Sequence, residues 1–139
     1  MFLIYCIINY VNVYIKIKIT SVKEKVMKLE KIANKIAFTD ESFTKRIIFK
    51  EDKILNFILN FKPGQGVPPH NHEQSDLLVH VLAGDGEMTV DGSLHNITEG
   101  DVIHCYGKEV FSLKNTGTKD MSLFIVLTPN PSSPYSKEF

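Results

Sequence analysis

The chain has 139 residues, 43% hydrophobic and 23% charged, a size and mixture that suit one globular domain and exclude disordered and fibrous classes. Lys plus Arg and Asp plus Glu number 16 each, so no bulk positive field exists to hold nucleic acid or an anionic membrane. The two cysteines, Cys6 and Cys105, are too few for a disulfide framework or a structural zinc site, and a reducing, cytoplasmic setting is expected.

Residues 1–26 have a composition foreign to the remainder: no Gly, no Pro, one acid, and many Ile, Tyr, Asn, Val and Lys. The uncharged run Met1 to Ile15 is shorter than a spanning helix requires, and it lacks the flanks of a secretory signal. Alternation from Val11 to Ile19 fits an extra edge strand. The other reading is translated upstream sequence from an AT-rich bacterial genome, with Met27 as the start. In that reading Lys23-Glu24 is encoded by a ribosome-binding sequence, and the remaining chain carries a net charge of −3.

From Leu29 to Phe38 the apolar residues Leu29, Ile32, Ala33, Ile36 and Ala37 have helical spacing and predict a short amphipathic helical lead-in. Strand signals follow at Arg46 to Phe49, Ile54 to Phe61, Leu77 to Leu82, Glu87 to Val90, Leu94 to Ile97, Val102 to Tyr106, Val110 to Lys114 and Leu123 to Thr128. Asp91-Gly92 reads as a two-residue hairpin turn and Gly84-Asp85-Gly86 as another tight bend. Many short strands with closely spaced turns predict an all-β sandwich or barrel. Three prolines and three serines mark residues 129–139 as an extended tail that frays or lies over a partner surface.

The chemistry concentrates in Gly64 to His72, where His70 and His72 stand two apart at the start of a strand and so on one face. Such a pair binds a first-row divalent metal when a carboxylate completes the set. Around it the sequence resembles the cupin family. Gly64, His70, His72 and Gly84 match the motif G-x5-H-x-H-x3,4-E-x6-G. Gly100 and Asn115 match the spacing of G-x5-P-x-G-x2-H-x3-N, over roughly Ile54 to Thr128. The resemblance implies an antiparallel jelly-roll barrel (double-stranded β-helix, RmlC-like) over residues 27–128, and a homodimer. It also implies one divalent metal (Fe, Mn, Ni or Zn) serving a dioxygenase, isomerase or decarboxylase.

Four motif positions depart, two of them ligand positions. The family's glutamate falls on Leu77, its third histidine on Phe111, and its proline and second glycine on Tyr106 and Lys108, with Gly107 one place off. Only His70 and His72 carry over as ligands. Asp76, at the shorter spacing, joins them only if a one-residue bulge turns it inward, and His104 only if its strand presents that face. Otherwise Leu77, Ile103, Tyr106 and Phe111 line an apolar pocket in which the histidines hold a ligand's polar end by hydrogen bonds. A vestigial pocket in a dimeric interaction protein is the third alternative. Cys105 reads as a small buried hydrophobe, His80 as a core or interface residue, His95 as surface, and Asn56 and Asn60 as either ligand contacts or an outward polar face. No nucleophile elbow, P-loop or dinucleotide fingerprint is present.

Overall fold

The computed structural model describes residues 25–131 and 137–139, so all but the last two residues of the foreign segment 1–26, including the edge strand expected from Val11 to Ile19, lie outside the described part. Among the described residues nine strands follow one 3₁₀ turn (Ile32–Lys35): β1 (Thr44–Glu51), β2 (Ile54–Phe61), β3 (Gly66–His70), β4 (Asp76–Ala83), β5 (Asp85–Val90), β6 (Ser93–Thr98), β7 (Val102–Cys105), β8 (Phe111–Lys114) and β9 (Met121–Thr128). They form two antiparallel sheets, ordered β1-β2-β9-β4-β7 and β3-β8-β5-β6. This is the double-stranded β-helix that the resemblance implies.

Two-residue alternation builds the core. On β2, Leu55, Phe57, Leu59 and Phe61 face the opposite sheet, and they pair across β9 with Leu127, Ile125, Leu123 and Met121. On β4, Leu77, Val79 and Val81 continue the same inner surface. Met88, Ile97, Phe111 and Leu113 answer from the second sheet, leaving one hydrophobic core between the two layers.

Asp91 and Gly92 both have positive φ, the geometry of a type I′ turn, and they close the β5–β6 hairpin as expected. Gly84 acts differently from the predicted hairpin bend. It lies between β4 and β5, which belong to different sheets, so it turns a corner from one layer to the other. Its φ of +82° suits glycine, and a Cβ there would stand 2.6 Å from the carbonyl oxygen of Asp120.

The predicted helical lead-in is reduced to the single turn Ile32–Lys35, with no buried residue and no side-chain cap at Lys31. A segment this short cannot repay helix nucleation without burying its apolar face. Ile32 and Ile36 remain exposed, and the segment is tied instead by polar contacts such as Asn60 Nδ2 donating to the Lys35 carbonyl at 2.9 Å.

Asn115 locks one end of the barrel. It is fully buried, and its Nδ2 donates to the carbonyls of Phe61 (3.0 Å) and Lys119 (2.8 Å) while its Oδ1 accepts the Gly117 N–H (3.0 Å). Its backbone pairs with Gly64 and Gln65. The motif asparagine thus ties the end of β2 to the turns flanking β3 and β9.

Candidate functional site

A cavity of about 200 Å³ opens between the sheets. Phe57 and Leu59 of β2, Leu77 of β4, Ile125 of β9, Phe111 and Leu113 of β8 and Val67 of β3 make most of its wall. Phe43 and the C-terminal Lys137 and Phe139 complete it, and the polar side chains Lys45, His70 and His72 also line it.

His70 reaches this cavity through a bulge. Val67 pairs with Leu113 but His70 with Phe111, so three steps on β3 oppose two on β8. The extra residue falls at Pro68-Pro69, which lack N–H groups for the ladder, and it turns His70 to the same face as Val67. His70 therefore ends a strand, where the sequence spacing suggested a strand start, and His72 lies in the loop before β4. The two rings are still neighbours, perpendicular with centroids 5.0 Å apart, and both contact Phe111, at 4.4 Å and 5.8 Å.

The hydrogen bond between His70 Nδ1 and the Pro68 carbonyl (2.9 Å) requires a proton on Nδ1, so in the neutral ring Nε2 is the acceptor. His72 is held by its backbone, with its N–H donating to the Gly107 carbonyl and its own carbonyl accepting from Ser75. Burial, then the neighbouring His70 and Lys45 charges, push the His72 imidazole down to about 4. His72 is therefore neutral at ordinary pH.

The other sequence candidates divide by strand parity. Leu77 and Phe111 do line the cavity. Ile103 faces inward but is packed against the core beside Val79, outside the cavity wall. Tyr106 is 65% exposed and its ring lies 4.7 Å from that of His104. Asp76 and His104 occupy the outer face, where His104 Nε2 and Asp76 Oδ2 pair at 3.1 Å. The bulge that would have turned Asp76 inward lies further along β4, between Val81 and Ala83, and so leaves Leu77 inside and Asp76 outside. Asn56 and Asn60 face away from the cavity, with Asn56 Nδ2 on the Ile125 carbonyl and Asn60 Oδ1 accepting from Ser122.

Among the described residues no three His, Cys, Asp or Glu side chains gather into a cluster able to hold a metal ion. The cavity offers two imidazoles beside hydrocarbon at the Leu77 and Phe111 positions, and an ammonium on Lys45. That set does not fit a divalent transition metal, which needs additional N or O donors and is repelled by a nearby cation.

No motif in the sequence marks Lys45 or the residues around it. Lys45 pairs with Leu59, and Ile47 with Phe57, so both point inward from β1. The Lys45 Nζ stands 4.1 Å from the centre of the Phe57 ring, a cation–π contact, and the residue is 7% exposed. Burial pushes its ammonium down to about 8. Phe139 bonds to the Lys45 backbone in both directions, its oxygen also accepts from Arg46 Nη1 at 2.7 Å, and its ring packs edge-on to Phe43 at 5.2 Å. The end of the chain thus lies on β1 of its own barrel and walls the cavity. The parity of Phe43, Lys45 and Ile47 was the available signal, obscured because a lysine at an inward position contradicts the hydrophobic pattern.

With this geometry in view, the chain belongs to the cupin domain family, whose sequence pattern matches residues 57–127. No curated protein matches the chain. It is similar in structure to TT1209 from Thermus thermophilus, with 20% identity and a TM-score of 0.70 over 74% of this chain and 98% of that one. A double-stranded β-helix protein from Klebsiella pneumoniae shares 16% identity at a TM-score of 0.71, covering 77% and 95%. An RmlC-like cupin from Desulfovibrio desulfuricans shares 24% at 0.67, covering 75% and 98%. These likenesses establish the fold. No helix among the described residues is long and apolar enough to cross a membrane.

Proposed function

We propose that this cupin is a small-molecule-binding module whose cavity takes an apolar compound bearing one acidic or carbonyl end, held without a resident metal. The observation that carries the reading is the composition of the wall. Its described polar side chains are Lys45, His70, His72 and Lys137, all basic, and the rest is hydrocarbon. Apolar surface supplies the affinity and a few convergent donors fix the orientation. A carboxylate or carbonyl oxygen complements the Lys45 ammonium, whereas a cationic ligand meets repulsion.

Thermal-shift and NMR titration with benzoate, benzylamine and the divalent ions Fe, Mn, Ni and Zn test this. Benzoate is expected to raise Tm and to shift the amides of His72 and Phe111, with benzylamine and the metals inert. Stoichiometric metal retained by wild-type protein and lost in His70→Ala/His72→Ala protein would overturn the metal-free reading. A preference for benzylamine would overturn the polarity of the site.

A further inference from the structure

We propose that Lys45 is a carbonyl-condensing residue, its amine forming an imine with an apolar aldehyde or ketone taken into the cavity; this rests on the ligand-pocket reading above. Three observations meet at this side chain. Parity places it inward on β1, opposite Leu59, so its stem runs into the cavity wall. Its nitrogen is fixed over the inward-facing ring of Phe57 at 4.1 Å. Its backbone is clamped on both the N–H and the carbonyl by Phe139, which limits the freedom of the strand at this point.

An apolar wall does two things for such an amine. It concentrates the hydrocarbon part of a carbonyl compound beside the nitrogen, which replaces an encounter in water by a held geometry. It also disfavours the ammonium relative to the neutral amine, the nucleophilic form, as burial does here by bringing Lys45 down to about 8.

The step balances without any further reagent. The nitrogen lone pair attacks the carbonyl carbon and forms the C–N bond, and one amine hydrogen passes to the oxygen to give a carbinolamine. The C–O bond then breaks and water departs with the second amine hydrogen, leaving R–CH=N–Lys45. His70 lines the same cavity with Nε2 free of the Pro68 bond, so it can take up a proton in the first stage and return it to the departing hydroxyl.

The test treats the full chain at pH 7 with benzaldehyde and sodium cyanoborohydride, which reduces an imine to a stable benzylamine, followed by peptide mass mapping. Lys50, exposed on the same strand, is the internal reference. Benzyl alcohol, which cannot condense, is titrated in parallel by NMR. The expected result is one benzyl group on Lys45, added roughly tenfold or more faster than on Lys50 because the cavity holds the aldehyde beside the Lys45 nitrogen. Lys45→Arg protein should lose that label and still show benzyl alcohol shifts at His72 and Phe111. Benzyl alcohol binding with Lys45 labelled no faster than Lys50 overturns the amine chemistry and leaves the pocket. Neither binding nor selective labelling overturns both.

Discussion

The carbonyl of Gly107 accepts the backbone N–H of His72 at 3.2 Å, so the loop after β7 positions the second histidine of the cavity wall. The approach is close enough to require glycine. A Cβ on residue 107 would stand 2.7 Å from the His72 carbonyl oxygen and 2.9 Å from that of Glu73, both backbone atoms that cannot swing away. Gly107→Ala is therefore expected to destabilise the fold by about 1–3 kcal/mol through overpacking. Urea unfolding measures the cost, and displaced His72 and Ser75 amide resonances locate the strain. Unchanged resonances at both positions would refute the contact.

His72 gives the protein an acid-side weakness. Its folded value of about 4 lies below the ordinary imidazole value near 6.5, so between these limits the unfolded chain binds a proton that the folded chain refuses. Stability is complete above about 6.5 and falls as pH drops toward 4, by on the order of 2 kcal/mol from this residue. Urea unfolding at a series of pH values should show the slope. His72→Gln protein, lacking the imidazole, should show a smaller one, and equal slopes in the two proteins would assign the loss to other groups.

Holding Lys45 inside the barrel opposes folding at neutral pH. Its ammonium is favoured in the unfolded chain up to its ordinary value near 10.5 but in the folded chain only to about 8. The stability deficit is thus fully present below pH 8 and shrinks as pH rises toward 10.5. Lys45→Met keeps the stem over Phe57 and removes the charge, and should raise stability at pH 7 by roughly 1–3 kcal/mol. The same substitution should weaken benzoate binding, separating what the residue does for the ligand from what it does for the fold. A loss of stability in this variant would contradict the argument.

Asp76 and His104 form a surface pair with both side chains nearly half exposed. A double-mutant cycle of Asp76→Asn and His104→Ala should therefore give a coupling of about 0–1 kcal/mol. Neither substitution should change benzoate binding, since both side chains lie on the face opposite Leu77 and Cys105. A marked loss of binding in Asp76→Asn would place the carboxylate at the cavity after all.

Cys105 shows how far burial decides chemistry here. It is 2% exposed, and burial, then Glu109 and Asp91, raise its thiol to about 11, so it behaves as the small hydrophobe its sequence context suggested.

Much of the barrel was legible in the chain because its information is local. The alternation of Leu55, Phe57, Leu59 and Phe61, the Asp91-Gly92 turn and the spacing of Gly64, His70, His72, Gly84, Gly100 and Asn115 each depend on a few neighbouring residues. They define strands, hairpin and family without knowledge of what packs against what. The departures at Leu77 and Phe111 were equally visible, and they already pointed away from a four-ligand metal centre.

Tertiary structure decided everything that depends on register or on distant chain segments. The bulge at Pro68-Pro69 turns His70 inward and the later bulge at Val81–Ala83 leaves Asp76 outside, and a one-residue difference in where a bulge falls exchanges the two faces of a strand. Lys45 enters the cavity because β1 continues inward beyond its hydrophobic stretch, and Phe139 reaches it across 94 positions of sequence through backbone hydrogen bonds that no side-chain pattern encodes. Residue spacing therefore identified the barrel, while strand pairing and the docking of the chain's far end determined which side chains meet inside it.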